Sequence, residues 1–303
     1  MPRSYHVVDA FTGDRYAGNP AAVVLDAAGL TDAEMQAIAA EFNLSETTFV
    51  LPPVSPGADA RFRWFTPTTE VRLCGHATVG GVHALAESGR IGTEPDADGT
   101  AIGIDTLSGR LTAYVERIPG TETGRMIWLD LPDPRLSRWD PPKAELASVL
   151  HVAAEALDTP WPAARTQDGD ALVFVADCLA LNDVAPDFGA LKRFQIREGL
   201  RGLCVATTGT LTPTIHVQSR FFAPATGVDE DPVTGSVQGP LAAFLVDHGH
   251  VPIKDGTAAL KCVQTKAGTR AGVVYALVRR RGAGHAVRIG GQAVTTMRGE
   301  LVA

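Results

Sequence analysis

The chain has 303 residues, 45% of them hydrophobic and 20% charged, with 27 Lys plus Arg against 34 Asp plus Glu and a net charge of −7. Such a chain can bury a core of its own, as one large unit or as two domains of about 150 residues each. The acidic balance without a sustained basic stripe argues against a nucleic-acid partner, and four widely spaced cysteines with no Cys-x-x-Cys pair exclude a zinc ribbon or disulfide scaffold and suit a reducing cytoplasm.

The opening "MPRSYHVVDAF" carries no long apolar run, and no stretch reaches about 18 apolar residues, so neither a signal peptide nor a membrane span is expected. "YHVVDAF" (5–11) alternates and is β-branched, which predicts a strand, and "PAAVVLDA" (20–27) predicts a second. "TDAEMQAIAAEFN" (31–43) predicts a helix. Thr31 is its N-cap, Glu34 completes a capping box, and Met35, Ile38, Ala39 and Phe42 share one face. Ser45 and Glu46 then fall in a helix-to-strand turn before Thr47, Thr48, Phe49 and Val50 begin a strand.

"ARFRWFTP" predicts another strand, closed by Pro67. "CGHATVGGVHALAESG" (74–89) predicts a helix of small residues that opens at Gly75, ends at Gly89, and is buried with sheet packed close around it. "RLTAYVERI" and "RMIWLDLP" are further strands. The second half repeats the order. "DALVFVAD" (170–177) and a helical "DFGALKRFQIREG" lead to "LRGLCVAT", which stands where "LSETTFVL" stood. "IHVQSRFFAP" then matches "ARFRWFTP", and "TGSVQGPLAAFLVDHG" matches the small-residue helix. Phe65 to Gly75 spans ten residues and Phe222 to Gly235 thirteen, so the second copy carries an extra segment, "DED". Two similar lobes are expected, divided as 1–120 and 121–303, with the C-terminal tail able to return to the first. "RRRG" (279–282) is read as a solvated turn between strands.

A helix that opens on Gly-His or Gly-Ser presents unpaired amides and the positive end of its dipole, which suits a carboxylate or phosphate. Two such starts facing one another would form a single anion-binding groove. The copies differ in titratable groups. The first has Glu46, Cys74 and His76; the second has Arg201 or Gly202 at the turn, and Asp231, Thr234 and Ser236 before the helix. Glu46, His76 and Asp231 near two amide clusters make a proton-transfer constellation. The other histidines show no metal-ligand spacing, and no His-Glu-x-x-His, Walker loop or Gly-x-Gly-x-x-Gly occurs, so no metal or cofactor is expected.

"D-x-F" (9–11), "GNPAAVV" (18–24), "FNLSETTFV" (42–50), "FTP" followed by "CGHAT" (74–78), and "EDPVTGS" (230–236) occur in order over most of the chain, and together they resemble the PhzF-like family of phenazine biosynthesis. The resemblance implies an α+β, diaminopimelate epimerase-like fold, in which each of two pseudo-symmetric lobes wraps a curved sheet or barrel around a central helix. It also implies a cofactor-free isomerase, similar to trans-2,3-dihydro-3-hydroxyanthranilate isomerase, that acts on a small carboxylic acid. The chain would be a cytoplasmic homodimer.

Carried over by motif, Glu46 becomes the base and acid, His76 and Asp231 the assisting pair, and Ser45, Gly75, Gly235 and Ser236 carboxylate-binding candidates. Burial is expected to raise the Glu46 pKa toward neutrality, and Asp231 near His76 to favour the imidazolium. A racemase or epimerase of the same fold, using two thiols, and a noncatalytic carboxylate-binding protein are the alternatives. Thr234 stands where the second thiol would be, which leaves Cys74 as a small packed residue. The chain departs from phenazine-pathway members at "VQGPLAAF", where they tend to carry an Ala-His pair, and at the longer segments "EPDADGT" (94–100) and "RWDPPKAE" (138–145).

Overall fold

Pattern and punctuation place most elements where local chemistry puts them. The computed structural model describes residues 3–92, 99–121 and 124–302, so most of the "EPDADGT" segment lies outside the described residues. In chain order the first elements are β1 (Arg3–Ala10), β2 (Asn19–Val24), α1 (Asp32–Phe42), β3 (Thr47–Leu51), β4 (Ala60–Phe65), β5 (Glu70–Val71), α2 (Gly75–Glu87), β6 (Thr100–Thr106), β7 (Gly109–Arg117) and β8 (Arg125–Leu131). They continue as β9 (Leu136–Arg138), α3 (Lys143–Leu150), β10 (Ala164–Thr166), β11 (Asp170–Phe174), α4 (Cys178–Asp183), α5 (Phe188–Glu198), β12 (Gly202–Thr207), β13 (Val217–Ala223), β14 (Val228–Asp231), α6 (Gly235–Asp247), β15 (Ala258–Lys266), β16 (Arg270–Arg281), β17 (Gly284–Gly291) and β18 (Ala293–Leu301).

The chain forms two compact units, Met1–Asp130 with Gly290–Ala303, and Leu131–Ile289. In the first, β1 runs antiparallel to β2 and to the returning β18; β2 is parallel to β3, β3 antiparallel to β4, β4 parallel to β6, and β6 antiparallel to β7. The second unit repeats this order: β10 antiparallel to β11, β11 parallel to β12, β12 antiparallel to β13, β13 parallel to β15, and β15 antiparallel to β16. It is an α+β fold built twice.

Helix α1 begins as its sequence dictates. The Thr31 hydroxyl accepts from the Glu34 amide at 3.3 Å, and the Glu34 carboxylate accepts from the Thr31 amide at 2.7 Å, so two otherwise unpaired donors are satisfied. Met35 and Ala39 are buried, and Ile38 and Phe42 pack partly buried against the same cluster.

Helix α2 is buried from His76 to Ala86 and packs on β1, β2, β3 and β4. Its glycines explain how a weak helix former survives there: a Cβ on Gly81 would lie 2.7 Å from the Phe62 ring and 3.2 Å from Thr48 Cγ2. Helix propensity lost at glycine is exchanged for close approach to the sheet. Helix α6 is buried in the same way and packs on β15 and β16.

The basic "RRRG" run ends β16 in exposed residues before the turn to β17. No helix among the described residues is long and apolar enough to cross a membrane.

Candidate active site

Three neighbouring pieces of the first unit converge at the start of α2. The turn from α1 to β3 brings Ser45 and Glu46, α2 with its preceding residue brings Gly75, His76 and Cys74, and the first residue of β2 brings Asn19. His76 is nearly closed off, its side chain 6% exposed, and Glu46 keeps an opening of 19%. The imidazole is surrounded on both nitrogens. Nε2 lies 3.2 Å from Glu46 Oε2 and 3.2 Å from Ser45 Oγ; Nδ1 lies 3.2 Å from Asn19 Nδ2 and 3.5 Å from Cys74 Sγ.

The Glu46–His76 contact is an ion pair rather than an aligned hydrogen bond: Oε2 is at pairing distance, yet no donor points along its lone pair among the described residues. Coulomb attraction needs no alignment, so charge pairing and an open lone pair coexist.

The electrostatics of this cluster overturn one expectation. Burial pushes the Glu46 carboxyl up, but the charge of His76 beside it, with help from Ser45 and Cys74, outweighs it and holds the group below the ordinary carboxylate range. Sequence alone reveals that the residue is buried and not that a cation sits against it. Burial likewise pulls His76 toward its neutral form, but hydrogen bonding with Cys74 and the charge of Glu46 raise its pKa well above the usual value. Burial and the Glu46 charge push the Cys74 thiol up, so Cys74 stays protonated near neutral pH and Glu46 supplies the negative charge that His76 faces. The expected imidazolium therefore has a partner inside its own unit.

Glu46, Cys74 and His76 each bring a ligand-type atom within 4.8 Å of the others. The set does not fit a metal ion. His76 turns Nε2 to the carboxylate and Nδ1 to the thiol, so no single imidazole lone pair faces the point where the other two donors could converge. The ring lies between an acid and a base, which suits passing or holding a proton.

Neither core helix has a side-chain cap: Cys74 precedes α2 and Thr234 precedes α6 without capping it. In the second unit Thr234 donates its hydroxyl to Asp231 instead, while Gln264 donates to the Asp231 carbonyl at 2.9 Å and to Thr234 Oγ1 at 3.0 Å, fixing the turn. The Glu230 of "EDP" is structural, buried against Arg220 with Nε 2.7 Å from Oε1. Gly235 opens α6, and Ser236 accepts a hydrogen bond from Arg201 at 3.1 Å.

One residue in each unit has no clear signal in the sequence. Asn19 was visible only as part of "GNP", and Arg201 only as an unremarked alternative at a turn. Of the other motifs, Asp9 of "D-x-F" accepts from the Tyr16 amide at 2.6 Å and so ties down the loop that leads to Asn19.

A topology built twice, each copy around a buried small-residue helix, defines the diaminopimelate epimerase-like class. The profile of the family described as phenazine biosynthesis-like protein matches residues 8–299. An uncharacterized isomerase of Clostridium acetobutylicum is 31% identical over 309 residues, 100% of this chain and 99% of that protein. The trans-2,3-dihydro-3-hydroxyanthranilate isomerase of Pseudomonas aeruginosa is 35% identical over 287 residues, 93% and 92% of the two chains. The crystal structure of a Bacillus anthracis phenazine biosynthesis protein of the PhzF family superposes with a TM-score of 0.88 at 28% identity, covering 100% of both chains. The chain belongs to the phenazine biosynthesis-like (PhzC-PhzF) family and is an isomerase.

Proposed function

We propose that the chain is a cofactor-independent isomerase that moves a proton between carbons of a small, cyclic carboxylic acid, with Glu46 as the group that carries it. The observation behind this reading is the Glu46–His76 pair: a carboxylate ionised at neutral pH, 3.2 Å from an imidazole held in its charged form, with no donor aligned on Oε2.

The steps balance without an external oxidant or reductant. Glu46 takes a proton from a carbon next to an unsaturated system; that C–H bond breaks, an O–H bond forms on the carboxyl, and the freed electron pair spreads into the conjugated system. The carboxylic acid then returns the proton to a different carbon. The His76 imidazolium offsets the negative charge that develops on the substrate, in a setting where few waters compete for it. Ser45 and the amides at Gly75, Gly235 and Ser236 are assigned to the substrate's carboxylate and Asp231 to assisting proton transfer, on the strength of the motif resemblance.

The racemase alternative needs a second thiol. Thr234 precedes α6 as Cys74 precedes α2, and its hydroxyl is already given to Asp231. An alcohol is far too weak an acid to replace a thiol as the returning group.

Incubation with trans-2,3-dihydro-3-hydroxyanthranilate and related cyclic carboxylic acids in deuterated water, followed by proton NMR, tests the reading. Deuterium is expected at carbon together with a shifted double bond. Binding without exchange across the panel would favour a noncatalytic carboxylate-binding protein and refute the isomerase reading.

A further inference from the structure

The strand registers fix which residues of the two units correspond. Phe65 lies opposite Thr47, and its repeat counterpart Phe222 lies opposite Leu203. One residue back along each strand aligns Glu46 with Gly202, and one further aligns Ser45 with Arg201. The parallel partners agree: Ala22 is beside Thr47 and Ala171 beside Leu203, which sets Ala21 against Asp170.

The base position is vacant in the second unit in a definite physical sense. A Cβ on Gly202 would lie 2.1 Å from Phe221 Cζ, so an aromatic ring fills the room a carboxylate side chain would need. In exchange the second unit carries an ion pair that the first lacks, Arg201 with Asp170 where the first has Ser45 with Ala21.

That pair is lopsided. Asp170 is 1% exposed, and it takes Arg201 Nε at 2.9 Å on one oxygen and Nη2 on the other. The same Nη2 donates to Ser236 Oγ at 3.1 Å, so the Ser45–His76 contact of the first unit reappears as Arg201–Ser236 in the second. The guanidinium side chain is nevertheless 41% exposed, and Nη1 has no hydrogen-bond partner among the described residues. An ion pair that only joined β11 to β12 would have no need of an open cationic end. Here the acid is sunk in the protein and serves to aim the base outward.

We propose that Arg201 is a further residue that recognises the carboxylate group of the substrate, held in place by Asp170 and sharing that group with Ser236. The proposal rests on the reading that the ligand is a small carboxylic acid. A guanidinium is always charged, planar and able to offer parallel N–H bonds to a carboxylate, and orientation by a buried partner removes most of the entropy such a side chain loses on binding. It also answers a like-charge problem, because Asp168 and Asp231 both lie within electrostatic reach of Arg201 and an arriving carboxylate would otherwise meet them unopposed.

Arg201→Gln alone would strand the buried Asp170 carboxylate, so the test uses the double variant Asp170→Asn/Arg201→Gln, with thermal melting to check its fold. Anthranilate and anthranilamide, equal in shape and different in charge, serve as probes by NMR titration. The wild type is expected to prefer the acid, and the double variant to bind the acid about 10- to 100-fold more weakly while binding the amide as before, as expected for one charge-assisted contact. Equal wild-type affinity for acid and amide, or an unchanged preference in the folded double variant, overturns the proposal. Failure of deuterium exchange with this preference intact would remove the isomerase chemistry and leave the carboxylate site standing.

Discussion

Replacement of Glu46 by Gln removes one charge and almost no volume, so its consequences follow from a single distance. Two unit charges 3.2 Å apart interact by roughly 5 kcal/mol at an effective dielectric constant of about 20. Desolvation of both groups offsets much of this, leaving on the order of 1–3 kcal/mol of coupling. Glu46→Gln is therefore expected to do two separable things. It lowers the His76 pKa, read from imidazole NMR shifts without any substrate, and it abolishes carbon-bound deuterium exchange by at least ~10³-fold, with the affinity for anthranilate within a few-fold of wild type. The pair of readouts separates electrostatics from chemistry. An unshifted His76 refutes the ion pair, and full exchange in the variant refutes Glu46 as the proton carrier.

The same pair gives a pH window. The raised His76 pKa contributes stability that is full below its unfolded value of about 6.5 and fades as pH rises through the higher folded value, while the lowered Glu46 pKa contributes stability present above about 4.3 and lost as pH falls through the lower folded value. Urea melts of wild type against His76→Gln should thus differ most between those limits, and a constant difference at all pH values would contradict the coupling. His83, buried with no hydrogen bond to either ring nitrogen among the described residues and with Nε2 3.9 Å from Glu87 Oε2, has its pKa lowered by burial to about 4. The unfolded chain binds that proton first, so stability attributable to His83 falls by roughly 3 kcal/mol as pH drops from 6.5 to 4, and His83→Gln should flatten the acid limb in denaturation experiments. Cys74→Ala should retain most of the exchange activity, and iodoacetamide should react slowly with wild type because the thiol is buried and protonated; rapid inactivation blocked by ligand would restore the thiol to the mechanism. Asn19→Ala, which removes the amide 3.2 Å from Nδ1, should slow exchange about 10-fold, with binding little changed, as read by proton NMR in deuterated water.

Helix α1 was legible because everything that starts it lies within four residues: Thr31 and Glu34 cap each other whatever surrounds them. The two core helices were legible for the opposite reason, since runs such as "GHATVGGVHALA" make sense only if a sheet crowds them, and the crowding of Gly81 by Phe62 is that demand met. The candidate site was legible in part. Glu46 and His76 were found through their motifs and do meet, but the sign of the Glu46 pKa shift depends on a cation 30 positions away in sequence that burial patterns do not encode. Asn19 reaches His76 across a separation of 57 residues, and Arg201 reaches Asp170 across 31, distances over which a single sequence carries no pairing signal.

The turn that precedes β12 shows what kind of information was missing. Read as a string, either Arg201 or Gly202 could stand against Glu46, and the choice changes the chemistry: Arg201 there would mean that a base had been swapped for a cation, Gly202 that it had been deleted. Cross-strand register decides, because shifting a strand by one residue reverses the face of every side chain. With Phe222 opposite Leu203, Gly202 takes the place of the base and Phe221 fills the space, while the cation takes the place of Ser45. One unit thus keeps a carboxylate beside the second residue of its core helix, and the other keeps a guanidinium there. A racemase would need a second thiol where Thr234 stands, and the aromatic ring beside Gly202 leaves no room for a second carboxylate either, which favours a reaction in which one group both takes and returns the proton.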